Sequence, residues 1–265
     1  MNAQKKHLLK DMTFREFESV RDANEVMILP FGSQEEQGPA PMGDWMLTEA
    51  IAERVARESG AVAAATVPYG YADYFRTVPG GVQLKGETFT RLFEDICDNF
   101  LDHGMTKLLV FNGHSGNYPL IDQVIRHLRK TRGVVIPCIN VWRTIPAELW
   151  HELHPGVGPA ALGHGGDPLT SVYLHMFPDL VKKEGLPTPG TKKEFLGLPT
   201  SGLAAVKFQG IDVNIPLNIT DRCDDGIAGG DPRNSTAEIG ARIVDHIVDY
   251  TTAFIRHLRT TETTV

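Results

Sequence analysis

Apolar residues in the first half of the chain alternate between two textures. Short continuous runs, Val26–Phe31, Ala61–Pro68, Leu108–Phe111 and Val134–Val141, have the length of buried strands. Between them the apolar residues recur at helical spacing. Leu47, Ile51 and Val55 mark one stripe over Trp45–Arg57. Phe89, Leu92, Phe93, Ile96 and Phe100 mark another over Glu87–Leu101, which His103-Gly104 closes, and Pro119–Leu128 is a third. Strands alternating with helices of this length form βαβ units, and strands apolar on both sides need cover on both faces. The pattern predicts an α/β fold: a single-domain three-layer sandwich over 1–265, with a mainly parallel sheet and helices on both faces.

The second half is patterned less evenly. Asp167–Phe177 resumes a helical stripe through Leu169, Val172, Tyr173 and Met176. Ser235–Leu258 carries a longer one through Ile239, Ile243, Ile247, Tyr250 and Phe254, behind a start signal at Pro232, Asn234 and Ser235. Residues 143–163 read as irregular, and 182–232 is punctuated by Gly and Pro. A structureless loop of that length does not suit a compact domain, so short strands and an excursion toward the active site or a subunit contact are expected there. No repeat or low-complexity tract interrupts the chain.

Composition narrows the function classes. With 265 residues, 42% of them hydrophobic, the chain can bury an ordinary globular core. A formal charge of −7 and a pI near 5.8 exclude the basic stripe of a nucleic-acid binder. Cys97, Cys138 and Cys223 are odd in number and far apart, which fits a reducing compartment better than a disulfide framework. The N-terminus lacks the apolar stretch of a signal peptide, and no window approaches the ~18 consecutive apolar residues of a membrane span. A soluble, cytoplasmic protein without membrane partners is expected.

Chemistry concentrates in three loops. Residues 32–44 carry Glu35, Glu36, Gln37 and Asp44 directly behind the first apolar run. His114 follows the third run within Asn112–Asn117, and His164 and Asp167 precede the helix that opens at Pro168. In parallel sheets, ligands bind beyond the carboxyl ends of the strands, where the first two of these loops lie. Each residue also has a plainer reading. The acidic loop could be a solvated turn, Asp44 and Asp167 could cap helices, and His114 and His164 could be turn residues. His151 and His154, near Trp142, Trp150 and Arg143, read as surface or pocket wall. Tyr71, Asp73, Tyr74 and Arg76 share a loop that could contact substrate.

Five segments, taken together, shift the balance. Leu29–Pro39 with Asp44 resembles the opening motif of the creatininase family of metal-dependent amidohydrolases, roughly Pro-x-Gly-Ser-x-Glu-Gln-His-Gly-Pro-His-Leu-Pro…Asp. Pro79-Gly80-Gly81-Val82-Gln83-Leu84 is similar to the family's Pro-Gly-Thr-Ile-Ser-Leu segment. Asn112-Gly113-His114-Ser115-Gly116-Asn117 matches its Asn-Gly-His-Gly-Gly-Asn motif. His164-Gly165-Gly166-Asp167-Pro168-Leu169-Thr170-Ser171 resembles His-Ala-Gly-Glu-x-Glu-Thr-Ser, and Gly226–Arg233 resembles the closing Gly-x-x-Gly-Asp-Pro. One such motif would be weak; five in the family's order are specific.

The resemblance implies metal ligation by Glu35, Asp44 and His114, with Asp167 as a further ligand one methylene shorter than the family's Glu. Carboxylate and imidazole together suit Zn²⁺ first, then Mn²⁺ or Fe²⁺. It also implies that His164 transfers protons, a task suited to a group titrating near neutrality. The glycines around His164 would leave backbone amides free to approach a substrate oxygen. The chain departs from the family twice. Gln37 stands where the family has His, and Gly116 stands where the enzyme that names the family has Glu. One tight ion is therefore expected, with a second that is weak, absent or dependent on Asp167; Gln37 or Glu36 could supply a replacement ligand or touch substrate. Tyr74 and Trp142 are candidate substrate contacts. The implied activity is metal-dependent hydrolysis of a small cyclic amide or amide-like metabolite, with His replaced by Gln37 pointing away from creatinine itself. The alternatives are carbon–carbon ring opening of an inositol-derived cyclic diketone, or an inactive metal or metabolite binder. The family also implies a homo-oligomer, often a hexamer.

Overall fold

The computed structural model describes residues 6–184, 186, 194–223 and 226–265. Its elements run α1 (Phe14–Asp22), β1 (Met27–Phe31), α2 (Trp45–Ser59), β2 (Val62–Ala63), α3 (Gly86–Asp102), β3 (Leu108–Asn112), α4 (Tyr118–Arg132), β4 (Cys138–Asn140), α5 (Ala147–Leu153) and α6 (Leu169–Met176). Four short strands follow, β5 (Glu194–Phe195), β6 (Leu198–Ser201), β7 (Ala205–Phe208) and β8 (Ile211–Asn214), before the long α7 (Ala237–Arg259).

The first four strands form a parallel sheet in the order β2-β1-β3-β4. Side chains alternate across its pleat. Ile28, Leu109, Phe111 and Ile139 face one apolar layer with Leu47, Ile51, Ile243 and Ile247 of α2 and α7. Met27, Leu29, Leu108 and Val110 face the other, with Phe89, Phe93, Ile121 and Val124 of α3 and α4. The three-layer sandwich expected from the apolar pattern is the fold observed.

Two strands are shorter than their apolar runs. In the β1–β2 ladder, Val62 N–H donates to the Val26 carbonyl and Ala64 N–H to the Ile28 carbonyl, at 3.1 and 2.9 Å. The next bond toward Ala64 needs an N–H from residue 30, which proline lacks, so the ladder lapses until Val67 N–H reaches the Pro30 carbonyl at 3.0 Å. At β4, the Pro137 carbonyl still accepts from Val110 N–H of β3 at 3.0 Å, but the chain before it is held by the C-terminal segment: Val135 N–H donates to Thr263 O at 2.8 Å.

The span 182–232 contains the expected short strands. β5 to β8 make a separate antiparallel sheet in sequential order; residues 185, 187–193 and 224–225 of this span lie outside the described residues. The helix anticipated from Ser235 starts two residues later, at Ala237, capped by Thr236, whose Oγ1 accepts from Ile239 N–H at 3.2 Å. Among the described residues, no helix is long and apolar enough to cross a membrane.

Candidate metal centre

β1 and β3 are neighbours in register, Phe31 opposite Asn112, so the loops leaving their carboxyl ends emerge side by side. That juxtaposition brings Glu35 and Asp44 of one loop to His114 of the other. His114 Nδ1 lies 3.0 Å from both Glu35 Oε1 and Asp44 Oδ2. The ligand atoms of the three residues all fall within 4.8 Å of one another, and all three residues are buried.

The surroundings fix each carboxylate. Ser33 Oγ donates to Glu35 Oε2, and Ser33 N–H donates to Asp44 Oδ1 at 2.8 Å. Gln37 Nε2 donates to Glu35 Oε1 at 2.9 Å. Asp44 heads α2, yet its side chain makes no capping bond, so the plainer reading of this residue does not describe its contacts. Burial, and then repulsion from Glu35, push the Asp44 carboxyl up to about 7. For His114, burial pulls the pKa down, but the Glu35 and Asp44 charges outweigh it and hold the imidazole well above its ordinary value. Two buried carboxylates forced onto one imidazole form a donor set that a divalent cation would satisfy.

The three residues line a cavity of about 550 Å³ together with His164 and Asp167. Its walls include Tyr71, Tyr74, Phe75, Trp142, Leu203 and Leu217. Leu203 and Leu217 flank β7 and β8, which accounts for the excursion expected of the 182–232 span. Neither Lys nor Arg is among the described residues that line it. Trp142 donates from Nε1 to the Gly113 carbonyl behind His114. Burial raises the Tyr74 phenol, whose ring meets Phe75 edge-on at 5.0 Å.

His164 Nε2 sits 2.8 Å from the Glu36 carbonyl oxygen and 2.9 Å from Glu36 Oε1. Burial lowers its pKa, and the Glu36 hydrogen bond and charge more than offset this, leaving it above the ordinary value. Asp167 lies on the cavity but its oxygens face elsewhere. Oδ1 accepts from Ser171 N–H and Oγ and from Ser235 Oγ, at 3.1, 2.6 and 2.5 Å. Oδ2 is 2.8 Å from His154 Nε2, close but out of line for a hydrogen bond. The structure thus gathers Glu35, Asp44 and His114, and leaves Asp167 outside that trio.

Two expectations need correction. His154 belongs neither to the surface nor to the cavity wall; it is buried at 6% exposure against Asp167. The glycines around His164 free fewer amides for a ligand than expected: Gly163 N–H donates to Asp167 O and Gly166 N–H to Gly163 O, at 3.0 and 3.1 Å. They serve close backbone packing instead. A Cβ on Gly163 would stand 2.0 Å from Gly230 N, and one on Gly230 would stand 1.8 Å from Ala161 O. Phe75, stacked on His164 with ring centroids 4.4 Å apart, went unnoticed in the sequence beside the more polar Asp73 and Tyr74.

Residues 10–255 match the family model Creatininase, described as creatinine amidohydrolase. A creatinine amidohydrolase of Pseudomonas putida is 30% identical over 188 residues, covering 64% of this chain and 72% of that protein. A 3-dehydro-scyllo-inosose hydrolase of Thermotoga maritima is 27% identical over 178 residues, covering 65% of this chain and 57% of its own length. A mutant creatininase complexed with creatine superimposes with a TM-score of 0.78 at 25% identity, covering 97% of this chain and 100% of that one. Similar creatininase structures are described as Zn–Zn and Mn forms, with TM-scores of 0.78 and 0.77, both 25% identical and covering the same shares.

Proposed function

The chain belongs to the creatininase family of hydrolases, and from that premise we propose that it hydrolyses a small cyclic amide or amide-like metabolite at a divalent metal centre. The observation that carries this is the convergence of Glu35 Oε1, Asp44 Oδ2 and His114 Nδ1 on a cavity that His164 also lines. These three residues hold the ion, Zn²⁺ first and Mn²⁺ or Fe²⁺ as alternatives. When bound, such an ion supplies a water of lowered pKa and polarises a carbonyl. His164 takes a proton from the attacking water and hands it to the departing amine. The apolar walls exclude bulk solvent, and Tyr74 and Trp142 bound the substrate from the sides.

One ion is held tightly. Gln37 offers Glu35 an N–H where the family has a histidine, and the Asp167 carboxylate is engaged by Ser171 and Ser235. Both features weaken a second position. Three cysteines, odd in number and far apart along the chain, support a reducing, cytoplasmic setting, and family membership supports a homo-oligomer, a hexamer first.

The test is an assay of zinc- and manganese-loaded protein against lactams, formamides and cyclic diketones, with metal content measured on the same samples. Turnover of a lactam or formamide that disappears in His164→Ala, with metal retained, supports the proposal. Turnover of the diketones alone would favour carbon–carbon ring opening, to which the similarity with the Thermotoga maritima protein lends weight. A protein that binds no metal would overturn both.

A further inference from the structure

We propose that Glu36 is a positioning residue for His164, fixing its ring so that Nδ1 is the nitrogen that exchanges protons with substrate. The inference rests on the proton-transfer role given to His164 above, and it starts from a position where the chain departs from its family. The family motif carries a neutral Gln between its Glu and His; this chain carries Glu36.

Two oxygens of one residue clamp one ring atom. The Glu36 carbonyl and Glu36 Oε1 lie 2.8 and 2.9 Å from His164 Nε2. A carbonyl and a carboxylate only accept, so Nε2 carries the hydrogen. Nδ1 has no protein partner among the described residues, and the ring lines the cavity. The face of the ring is fixed separately by Phe75, stacked at 4.4 Å with an interplanar angle of 29°. The backbone is pinned by reciprocal bonds with Ala228, 3.1 and 2.9 Å long.

Glu36 is itself held in place. Its Oε2 accepts from Gly38 N–H at 3.1 Å, and Gly226 closes over the carboxylate so tightly that a Cβ there would come within 2.0 Å of Oε2. Both oxygens are thus committed away from the Glu35, Asp44 and His114 trio, which Glu36 does not join. It is a partner of the proton carrier and not a further metal ligand. The proton balance is closed: Nδ1 of the neutral ring takes one proton from the attacking water, the resulting imidazolium lies beside the Glu36 charge, and Nδ1 gives the same proton to the leaving group.

The experiment uses full-length, zinc-loaded protein as wild type, Glu36→Gln and Glu36→Asp. Long-range ¹H–¹⁵N spectra of the His164 ring report the tautomer without any substrate, and metal content is measured alongside. The expected result is an Nε2–H, Nδ1-imine ring in the wild type. Glu36→Gln should keep its metal and its KM, lose about 10²–10⁴-fold in kcat, and be partly rescued by Glu36→Asp. A wild-type ring protonated on Nδ1, loss of metal in Glu36→Gln, or an unchanged kcat in that variant would each overturn the proposal. If no compound of the panel is hydrolysed, the hydrolase assignment fails while the wild-type spectrum still decides the role of Glu36.

Discussion

At the scale of single residues, the candidate centre divides into side chains that converge on one point and groups that hold them there. Ser33 is of the second kind, bonding Glu35 through its hydroxyl and Asp44 through its N–H. Ser33→Ala removes the hydroxyl alone, and outer contacts of this sort are worth about 10–100-fold in metal affinity. Calorimetric titration with Zn²⁺ should show that loss for Ser33→Ala, while His114→Ala should fail to bind stoichiometrically. Wild-type affinity in Ser33→Ala would mean that Glu35 needs no help. The candidates Glu35, Asp44, His114 and His164 could be picked out in the sequence because carboxylates and imidazoles in glycine-bearing loops stand out and fall on the family's motifs. Phe75 and His154 could not. An apolar ring in a loop and a histidine on a short helix carry no local sign of what they will meet, and only the tertiary fold brings Phe75 onto His164 and His154 onto Asp167.

At the scale of elements, apolar texture identified the strands and helices, and backbone hydrogen-bond supply set their ends. Pro30 shows the difference. It is part of a continuous apolar run, yet its missing N–H cuts β2 short, which counting apolar positions does not reveal. The antiparallel β5–β8 sheet was legible only as a span too long to be structureless, because its strands are short and mostly exposed. The contact between α6 and α7 offers a test of packing against propensity. A glycine-to-alanine change inside a helix ordinarily gains about 1 kcal/mol. At Gly240 a Cβ would stand 2.0 Å from the Ser171 carbonyl oxygen, and overpacking of that kind costs about 1–3 kcal/mol. Gly240→Ala should therefore lower stability in urea unfolding; a gain would show that α7 shifts freely.

For the whole molecule, the buried carboxylates couple stability to metal and to pH. An ion present at a hundred times its Kd adds about 2.7 kcal/mol, which for a chain of this size is roughly 5–10 °C in Tm, so chelation should lower the midpoint by that amount. Without metal, burial and then Glu35 put the Asp44 carboxyl at about 7, and the surrounding carboxylates hold His114 and His164 above their ordinary values despite burial. All three pKa values are raised on folding, so the folded chain binds the extra protons. Their contribution is complete below the unfolded values and is lost as pH rises, through about 7 for Asp44 and through the raised values of the histidines. Chelated protein should consequently lose Tm as pH rises from about 4 through about 7 and on through the raised values of the histidines, whereas zinc, which displaces those protons, should bind more tightly as pH rises. Scanning calorimetry across that range with and without chelator checks both signs; a chelated protein that gains stability with pH would contradict the coupling.

The glycine contacts between Ala161–Gly163 and Gly230 bear on how such a protein can change its preferences. Two strips of backbone touch there with no space for even a methyl group, so neither can drift unless the other moves with it. The strip that bears His164 is welded on one side and has almost no mutational latitude. The margin of the cavity that Leu203 forms is different, for Leu203 is 45% exposed. A saturation library should find tolerance crowded onto that margin, where new selectivities can be tried without disturbing the reacting end.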